Sequence, residues 1–194
     1  MATAYIFIGQ SGAGKGTQVA LLTKKLLAAN PEAVPFYVET GSHFRKLIEG
    51  ETFTAVHTRE MIGEGKLPPA FLGAHMWAHE LIEHYDGVQP VILDGTPRVT
   101  AEVPLLLSTI GFYGWDAHVL YIAVGDEWSY DKIVGRGRHD DTDAHAWGRI
   151  QWFHESVEPS VDMLRESPLV TFHNIQGEQS IEDVHADICR SLGI

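Results

Sequence analysis

The sequence predicts an α/β fold, a three-layer α/β/α sandwich in which helices cover both faces of a five-stranded parallel sheet. Short apolar runs alternate with longer segments whose apolar residues recur every three or four positions. This alternation is typical of βα units around a parallel sheet. A chain of 194 residues is long enough for one such domain with a sizeable core. No linker or repeat divides it, so we expect a single domain over residues 1–194.

The predicted strands are short apolar runs distributed along the whole chain. They lie at residues 5–8, 35–38, 90–93, 118–124 and 169–172. Between the second and third strands, residues 42–85 are mainly helical in pattern and are interrupted by several glycines and prolines. An insertion of this length exceeds what a simple crossover needs, and we expect it to cover a ligand.

Three further helices are predicted in the second half of the chain. The first covers 126–134 and stops at the glycine- and charge-rich segment 135–141. The next begins near Asp143, carries apolar residues at spacings of three or four, and is expected to kink at Pro159. The last, at 180–192, is an amphipathic helix that closes the domain.

A glycine-rich segment at 9–18, with the sequence GQSGAGKGTQ, joins the first strand to the helical pattern at 19–27. A strand, a glycine loop, a lysine and a helix in this order form a phosphate-binding loop. The glycines allow backbone amides to turn inward, and the following helix directs its positive end at the same point. Lys15 adds a charge for the outer phosphates. Because Gly16 follows it, any hydroxyl for a metal ion must come from Thr17.

The third predicted strand ends in a carboxylate, Asp94, within the segment DGTPR at 94–98. This places Asp94 beside the glycine loop if the two strands are neighbours, where it could hold Mg²⁺ through water. The alternative is an aspartate that caps the next turn. Gly95 would let a ligand approach the backbone closely, and Arg98 would reach the phosphate or base of that ligand.

Arginine is scarce in this chain and is concentrated near predicted turns. Three of the eight arginines lie between Arg136 and Arg149, and Arg45 follows the second strand within the segment TGSHFR at 40–45. The planar guanidinium matches phosphate oxygens in a way that lysine does not, which favours phosphate-binding roles. The alternative for each of them is an ordinary charged surface.

Taken together, these segments resemble the adenylate kinase family of nucleoside monophosphate kinases over nearly the whole chain. Segment 9–18 resembles the family's GxPGAGKGTQ loop, with Ser11 in place of proline. The other matching segments are 40–45 (TGDMLR in the family), 65–68 (GKLV), 94–98 (DGFPR, with Thr96 for phenylalanine), and 137–141 followed by Arg149 (GRxDD and a downstream arginine).

The resemblance implies a P-loop NTPase fold with a helical section that binds the nucleoside monophosphate and a very short lid. The core would comprise 1–39, 69–135 and 147–194, the acceptor section 40–68, and the lid 136–146. Because Gly137 alone separates Arg136 from Arg138, this lid is shorter than the family's short form and lacks the metal ligands of some relatives. We therefore expect no structural zinc.

The resemblance also implies roles for individual residues. The ATP-binding residues would be Gly12, Ala13, Gly14, Lys15, Gly16, Thr17 and Arg136, the last on the donor adenine. The acceptor-binding residues would be Thr40, Arg45, Leu67, Gly95, Arg98 and Glu102. The catalytic cations would be Lys15, Arg98, Arg138 and Arg149. Magnesium would be held by Thr17 and, through water, by Asp94. The reaction would be ATP + AMP = 2 ADP, with the nucleotides as partners.

The acceptor base is the open point of this interpretation. Adenine-selective relatives carry glutamine four residues after the arginine of DGFPR, where this chain has Glu102. A carboxylate only accepts hydrogen bonds, which would suit the two donors of guanine. Alternatively, Glu102 is a solvated residue in the first turn of a helix and backbone groups read the base. AMP is favoured by the resemblance, with GMP, CMP or UMP as alternatives.

Composition limits the remaining possibilities. A net charge of −12 argues against nucleic-acid and membrane partners. The single cysteine cannot form an internal disulfide, and the eleven histidines, including His75 and His79, match no metal motif. Residues 1–9 lack a signal-peptide pattern, so we expect a cytoplasmic protein, and a monomer by resemblance. A kinase of another small-molecule class and a non-catalytic nucleotide-binding regulator are the alternatives from other classes.

Overall fold

The computed structural model describes residues 1–64, 66–136 and 143–194. Within them, five strands form one parallel sheet in the order β2-β3-β1-β4-β5. Their bounds are β1 (Thr3–Gly9), β2 (Phe36–Glu39), β3 (Val91–Asp94), β4 (Asp116–Ala123) and β5 (Thr171–Gln176). The predicted fold class is therefore confirmed, and each predicted strand overlaps one of these five, although the bounds of β5 differ from the prediction.

The helices connect the strands and cover both faces of the sheet. In the described residues they are α1 (Lys15–Ala29), α2 (Thr40–Ile48), α3 (Phe53–Gly63), α4 (Ala70–His84), α5 (Val103–Tyr113), α6 (Asp126–Arg136), α7 (Asp143–Trp152), α8 (Glu158–Arg165) and α9 (Ile181–Leu192). A 3₁₀ turn, Thr100–Glu102, precedes α5. None of these helices combines the length and the apolar character that crossing a bilayer requires.

The alternation of side chains on β1 explains the three layers. Ile6 and Ile8 face a cluster that includes Trp77 of α4 and Leu106 of α5. Phe7, between them, faces the opposite cluster, which contains residues of α1 and α9. Because β1 is buried on both faces, its residues from Ala4 to Ile8 are all aliphatic or aromatic, as expected for a central parallel strand.

The last strand begins and ends later than the sequence predicts. The apolar run at 169–172 indicated a strand there, whereas β5 runs from Thr171 to Gln176 and includes polar residues. This strand pairs with β4 alone and lies at the edge of the sheet. An edge strand needs no continuous apolar run, so hydropathy alone misplaced its bounds.

The expected kink near Pro159 takes the form of a π-helical segment, Phe153–Val157, between α7 and α8. Pro159 lies in the first turn of α8. Proline has no N–H to donate to the preceding turn, and helices therefore change geometry just before it. The predicted single kinked helix is thus two helices separated by one wider turn.

Candidate active site

The glycine loop lies between β1 and α1, at the carboxyl end of the sheet. Gly14 has a φ of 85° and caps α1, so the first turn of α1 presents its N–H groups toward the loop. Gly12 has the same φ, and a Cβ there would lie 2.7 Å from the carbonyl oxygen of Ser129 in α6. The loop is therefore built on glycines that a side chain could not replace without strain or collision.

Hydrogen bonds to two residues of α6 also hold the loop in place. The Ser129 hydroxyl donates to the carbonyl of Ser11, and Gln10 Nε2 donates to Asp126 Oδ1 at 2.9 Å. His154, in the π-helical segment, contacts the same Asp126 oxygen at 2.9 Å. These contacts tie the phosphate loop to the segment that follows α7.

Lys15 is directed along the loop. Its Nζ donates to the carbonyl oxygens of Gly9 and Gln10, both at 2.9 Å. Its charge also acts on Asp94, whose pKa it lowers against the opposing effect of burial. The ammonium group therefore lies between the loop and the end of β3, where outer phosphates of a bound nucleotide would be placed.

Asp94 ends β3 beside the loop, as expected if the two strands are neighbours. It pairs in register with Phe7 of β1 and with Glu39 of β2. The side chain is 6% exposed, and the Tyr37 hydroxyl donates to Oδ2 at 3.3 Å. Burial raises the pKa of Asp94, and the nearby Glu39 raises it further, whereas Lys15, Tyr37 and Arg98 oppose both effects.

Two arginines meet on the other side of Asp94. Arg98 Nε donates to the carbonyl of Gly95 at 2.9 Å, and its guanidinium lies 5.6 Å from the centre of the Phe44 ring. A Cβ on Gly41 would be 3.2 Å from Arg45 Nη1 and 3.4 Å from Arg98 Nη2. The two guanidinium groups therefore converge over Gly41, where the absence of a side chain leaves room for them.

One cavity of about 820 Å³ connects the loop, the arginines and α7. Its walls include these predicted site residues: Gly12, Ala13, Gly14, Lys15, Gly16, Thr17, Arg45, Leu67, Asp94, Gly95, Arg98 and Arg149. Arg138 and the lid residues 137–142 lie outside the described residues, as do Gly65 and the side chain of Arg136. Residues far apart in the sequence thus face one space that could hold two nucleotides.

The sequence of this chain is similar to those of known proteins over nearly its whole length. Residues 8–146, well over half of the chain, match the AAA domain family. The chain belongs to the AAA domain family. It is 29% identical to the adenylate kinase of Corynebacterium glutamicum (strain R) over 189 residues, which are 97% of this chain and 98% of that protein.

Two further adenylate kinases are similar to this chain to the same extent. Identity is also 29% to the adenylate kinase of Prochlorococcus marinus, over 96% of this chain and 97% of that protein. The adenylate kinase of Mycobacterium tuberculosis (strain ATCC 25618 / H37Rv) is 29% identical over 97% of this chain and 98% of that protein. The resemblance to the adenylate kinase family that the motifs indicated is confirmed by these matches.

Two predicted acceptor-binding residues are not among those that line the cavity. Thr40, the first residue of α2, is fully buried, and its hydroxyl has no hydrogen-bond partner in the described part of the chain. Glu102 is 2% exposed and accepts a hydrogen bond from Thr96 Oγ1 at 3.0 Å. The alternative that Glu102 is a solvated residue is therefore wrong.

Glu102 is buried because α4 leaves space for it at Gly73. A Cβ on Gly73 would lie 2.7 Å from Glu102 Oε1. Burial raises the pKa of Glu102, although the Thr96 hydroxyl and the charge and backbone of Arg98 favour its ionised form. The carboxyl thus contacts the segment that precedes Arg98 rather than open space.

Sequence reasoning missed several residues of the cavity wall, among them Tyr37, Glu39, Trp128, Lys132 and Trp152. Lys132 Nζ lies 4.7 Å from the centre of the Trp128 ring, a cation–π contact close to the loop. Tyr37 and Glu39 were predictable in principle. They lie two apart near the carboxyl end of a parallel strand, and such positions face the ligand crevice of open α/β sheets.

The histidines form no metal site in the part of the chain that the structure describes. There, no group of three or more His, Cys, Asp or Glu side chains is arranged to hold a metal ion. The rings of His75 and His79 stack with their centres 5.4 Å apart. A magnesium ion brought by a nucleotide needs fewer protein ligands, because phosphates and water supply the rest.

Proposed function

We propose that this protein is a nucleoside monophosphate kinase that transfers the terminal phosphate of ATP reversibly to AMP. One observation carries the proposal. A single cavity has the phosphate loop with Lys15 on one side and the paired guanidinium groups of Arg45 and Arg98 on the other. Two anion sites that share one space fit a reaction between two phosphates, which depends on their alignment.

The loop would bind the donor. The N–H groups of residues 12–17 and the positive end of α1 suit the β and γ phosphates, and Lys15 adds a charge beside them. Arg136 and Arg138 are proposed to complete this half, on the adenine and on the transferred phosphoryl group. Arg149, on the cavity wall, is proposed to close over the same group.

Arg45 and Arg98 would bind the acceptor phosphate. Thr40, Leu67, Gly95 and Glu102 belong to the proposed acceptor half, of which Leu67 and Gly95 line the cavity. A nucleoside monophosphate already carries anionic oxygens at neutral pH, so no general base is needed. Catalysis then rests on alignment and on cations that balance the charge of the transferring group.

Asp94 and Thr17 are suited to a magnesium ion. Both face the cavity, and Asp94 is held in place by Tyr37. Carboxylate and hydroxyl oxygens are ligands that Mg²⁺ prefers, and it keeps several waters when bound with nucleotide. The ion would neutralise phosphate charge. The charge of Lys15 lowers the pKa of Asp94 and so favours the ionised carboxylate that a metal ion needs.

The same proposal includes the division of the chain into three sections, its oligomeric state and its location in the cell. The core would be 1–39, 69–135 and 147–194, the acceptor section 40–68 and the lid 136–146. We also propose that the protein is monomeric and cytoplasmic. Light scattering of the purified protein gives its molar mass and therefore tests whether it is a monomer.

The decisive experiment measures ADP formation from ATP and Mg²⁺ with AMP, GMP, CMP or UMP as acceptor. We expect AMP to give the highest kcat/KM. A Lys15→Ala variant serves as the inactive control, because it removes the charge beside the loop without touching the acceptor half. Turnover highest with GMP would contradict the assignment of AMP, and ATP binding without any turnover would favour a regulator.

A further inference from the structure

Glu39 ends β2 on the wall of the cavity and carries a charge opposite to that of Arg45 and Arg98. Its Oε1 lies 2.8 Å from Arg45 Nη2, and the side chains of Glu39 and Arg45 are 33% and 46% exposed. Glu39 is also the register neighbour of Asp94 on the adjacent strand. An acidic side chain therefore holds a guanidinium that the proposed function assigns to an acceptor phosphate.

The position of this carboxylate is close to where the phosphate would bind. A Cβ on Gly41 would lie 3.4 Å from Glu39 Oε1, 3.2 Å from Arg45 Nη1 and 3.4 Å from Arg98 Nη2. The carboxylate oxygen and both guanidinium groups therefore surround one small volume. Burial lowers the pKa of Arg98 and the nearby Arg45 lowers it further, whereas Glu102, Asp94 and, to a smaller extent, Glu39 oppose this.

We propose that Glu39 competes with the acceptor phosphate for Arg45. Its carboxylate neutralises Arg45 when the acceptor half is empty, and it must release Arg45 when a phosphate binds. This inference rests on the proposed function, because it needs an acceptor phosphate in this half of the cavity. It follows from charge: a carboxylate and a phosphate present the same kind of oxygens to a guanidinium, and they repel one another.

Glu39 would consequently weaken the binding of acceptors that carry a phosphate, and only those. An adenosine without phosphate does not need Arg45, so Glu39 should not affect it. A partly exposed ion pair is weak, and removal of the competing charge is expected to change affinity by about threefold to tenfold. If Glu39 instead held Arg45 in a productive orientation, its removal would weaken AMP binding.

The test compares Glu39→Gln with the unaltered protein. Gln keeps the size of the side chain but not its charge. By titration calorimetry we expect the Kd of AMP to fall about threefold to tenfold, with the Kd values of adenosine and ATP unchanged. In kinetics, the KM for AMP should fall while kcat stays within about twofold, since the chemistry does not involve Glu39.

Matched controls separate competition from other effects. Glu83→Gln changes an exposed glutamate on α4 outside the cavity and should leave the Kd of AMP unchanged. Glu39→Ser provides a second variant without the carboxylate, in case Gln disturbs folding. When Arg45→Gln is already present, Glu39→Gln should change the Kd of AMP by a smaller factor, because the guanidinium for which Glu39 and the phosphate compete is gone.

The outcomes are distinct. AMP affinity that is unchanged or weaker in both Glu39 variants, while the unaltered protein still forms ADP, would overturn the competition alone. An unaltered protein that neither binds AMP nor forms ADP would overturn the proposed function and the competition with it.

Discussion

At the scale of single residues, the cavity is lined by side chains that make directed contacts. Arg98 is held by the carbonyl of Gly95 and by the ring of Phe44. Asp94 is held by Tyr37. Side chains fixed in this way lose little conformational freedom when a ligand binds, which favours alignment of the reacting groups.

Arg149→Ala is expected to lower kcat by about two powers of ten or more, because it would remove a cation that we propose to lie next to the transferring phosphate. Arg190→Ala is the control, since Arg190 pairs with Asp187 on the surface of α9. Steady-state kinetics with ATP and AMP measure both. Near-normal turnover of Arg149→Ala would show that Arg149 has no catalytic role.

Glu102 gives a prediction on stability as a function of pH. Its pKa is raised above the usual 4.5, first by burial, so the folded protein binds this proton more tightly than the unfolded chain. The free energy of unfolding therefore loses this contribution as pH rises from about 4.5 through the raised pKa. Glu102→Gln should become more stable, relative to the unaltered protein, over that interval.

Urea unfolding at several pH values between 4.5 and 8 measures this difference. Glu83→Gln, at an exposed position, should show no such trend. If the free energies of unfolding of Glu102→Gln and the unaltered protein differ by the same amount at every pH, burial does not shift the pKa of Glu102.

At the scale of secondary structure elements, the site depends on where helices approach one another. Glu102, just before α5, occupies the space that Gly73 leaves in α4. The contact places the segment containing Thr96 and Arg98 against α4. Helix α4, which also packs against α2 through Leu72 and Met76, thus contacts the segment that carries Arg98.

Gly73→Ala is expected to destabilise the protein by about 1–3 kcal/mol, because its Cβ would collide with the Glu102 carboxyl. Gly111→Ala is the matched control in α5, where a Cβ would have no neighbour within 4 Å. There the better helix propensity of alanine should stabilise by up to about 1 kcal/mol. Urea unfolding at pH 7 measures both, and equal effects would contradict the collision.

At the scale of the whole molecule, an acidic protein places at least five of its 14 lysines and arginines around one cavity. The net charge is −12, yet Lys15, Arg45, Arg98, Lys132 and Arg149 all line that cavity. Anionic ligands are therefore attracted locally although the molecule as a whole repels them. The cavity is also large enough, at about 820 Å³, for a ligand that spans both halves.

At the same concentration, a ligand with two adenosines joined by five phosphates should stabilise the protein more than ATP or AMP, because it would fill both halves at once and bind more tightly. At a concentration one hundred times its Kd, the gain is about 2.7 kcal/mol, which corresponds to about 5–10 °C in Tm. Thermal unfolding with each ligand measures this. A shift no larger than that with ATP would argue against adjacent sites.

The parts of this protein that sequence alone predicted are those whose signals are local. The glycine loop, the strand that ends in Asp94 and the apolar central strand each need only a few neighbouring residues, since backbone freedom and side-chain alternation act over short distances. Hydropathy was less informative for β5, because an edge strand tolerates polar residues.

The tertiary structure alone decided the surroundings of the acidic side chains. Glu102 is buried because Gly73, far from it in sequence, has no side chain, and Glu39 meets Arg45 and Arg98 over Gly41. No local pattern encodes these contacts, since they depend on how helices pack against the ends of the strands. Sequence thus determined the fold and the glycine loop, whereas packing determined the surroundings of Glu39 and Glu102.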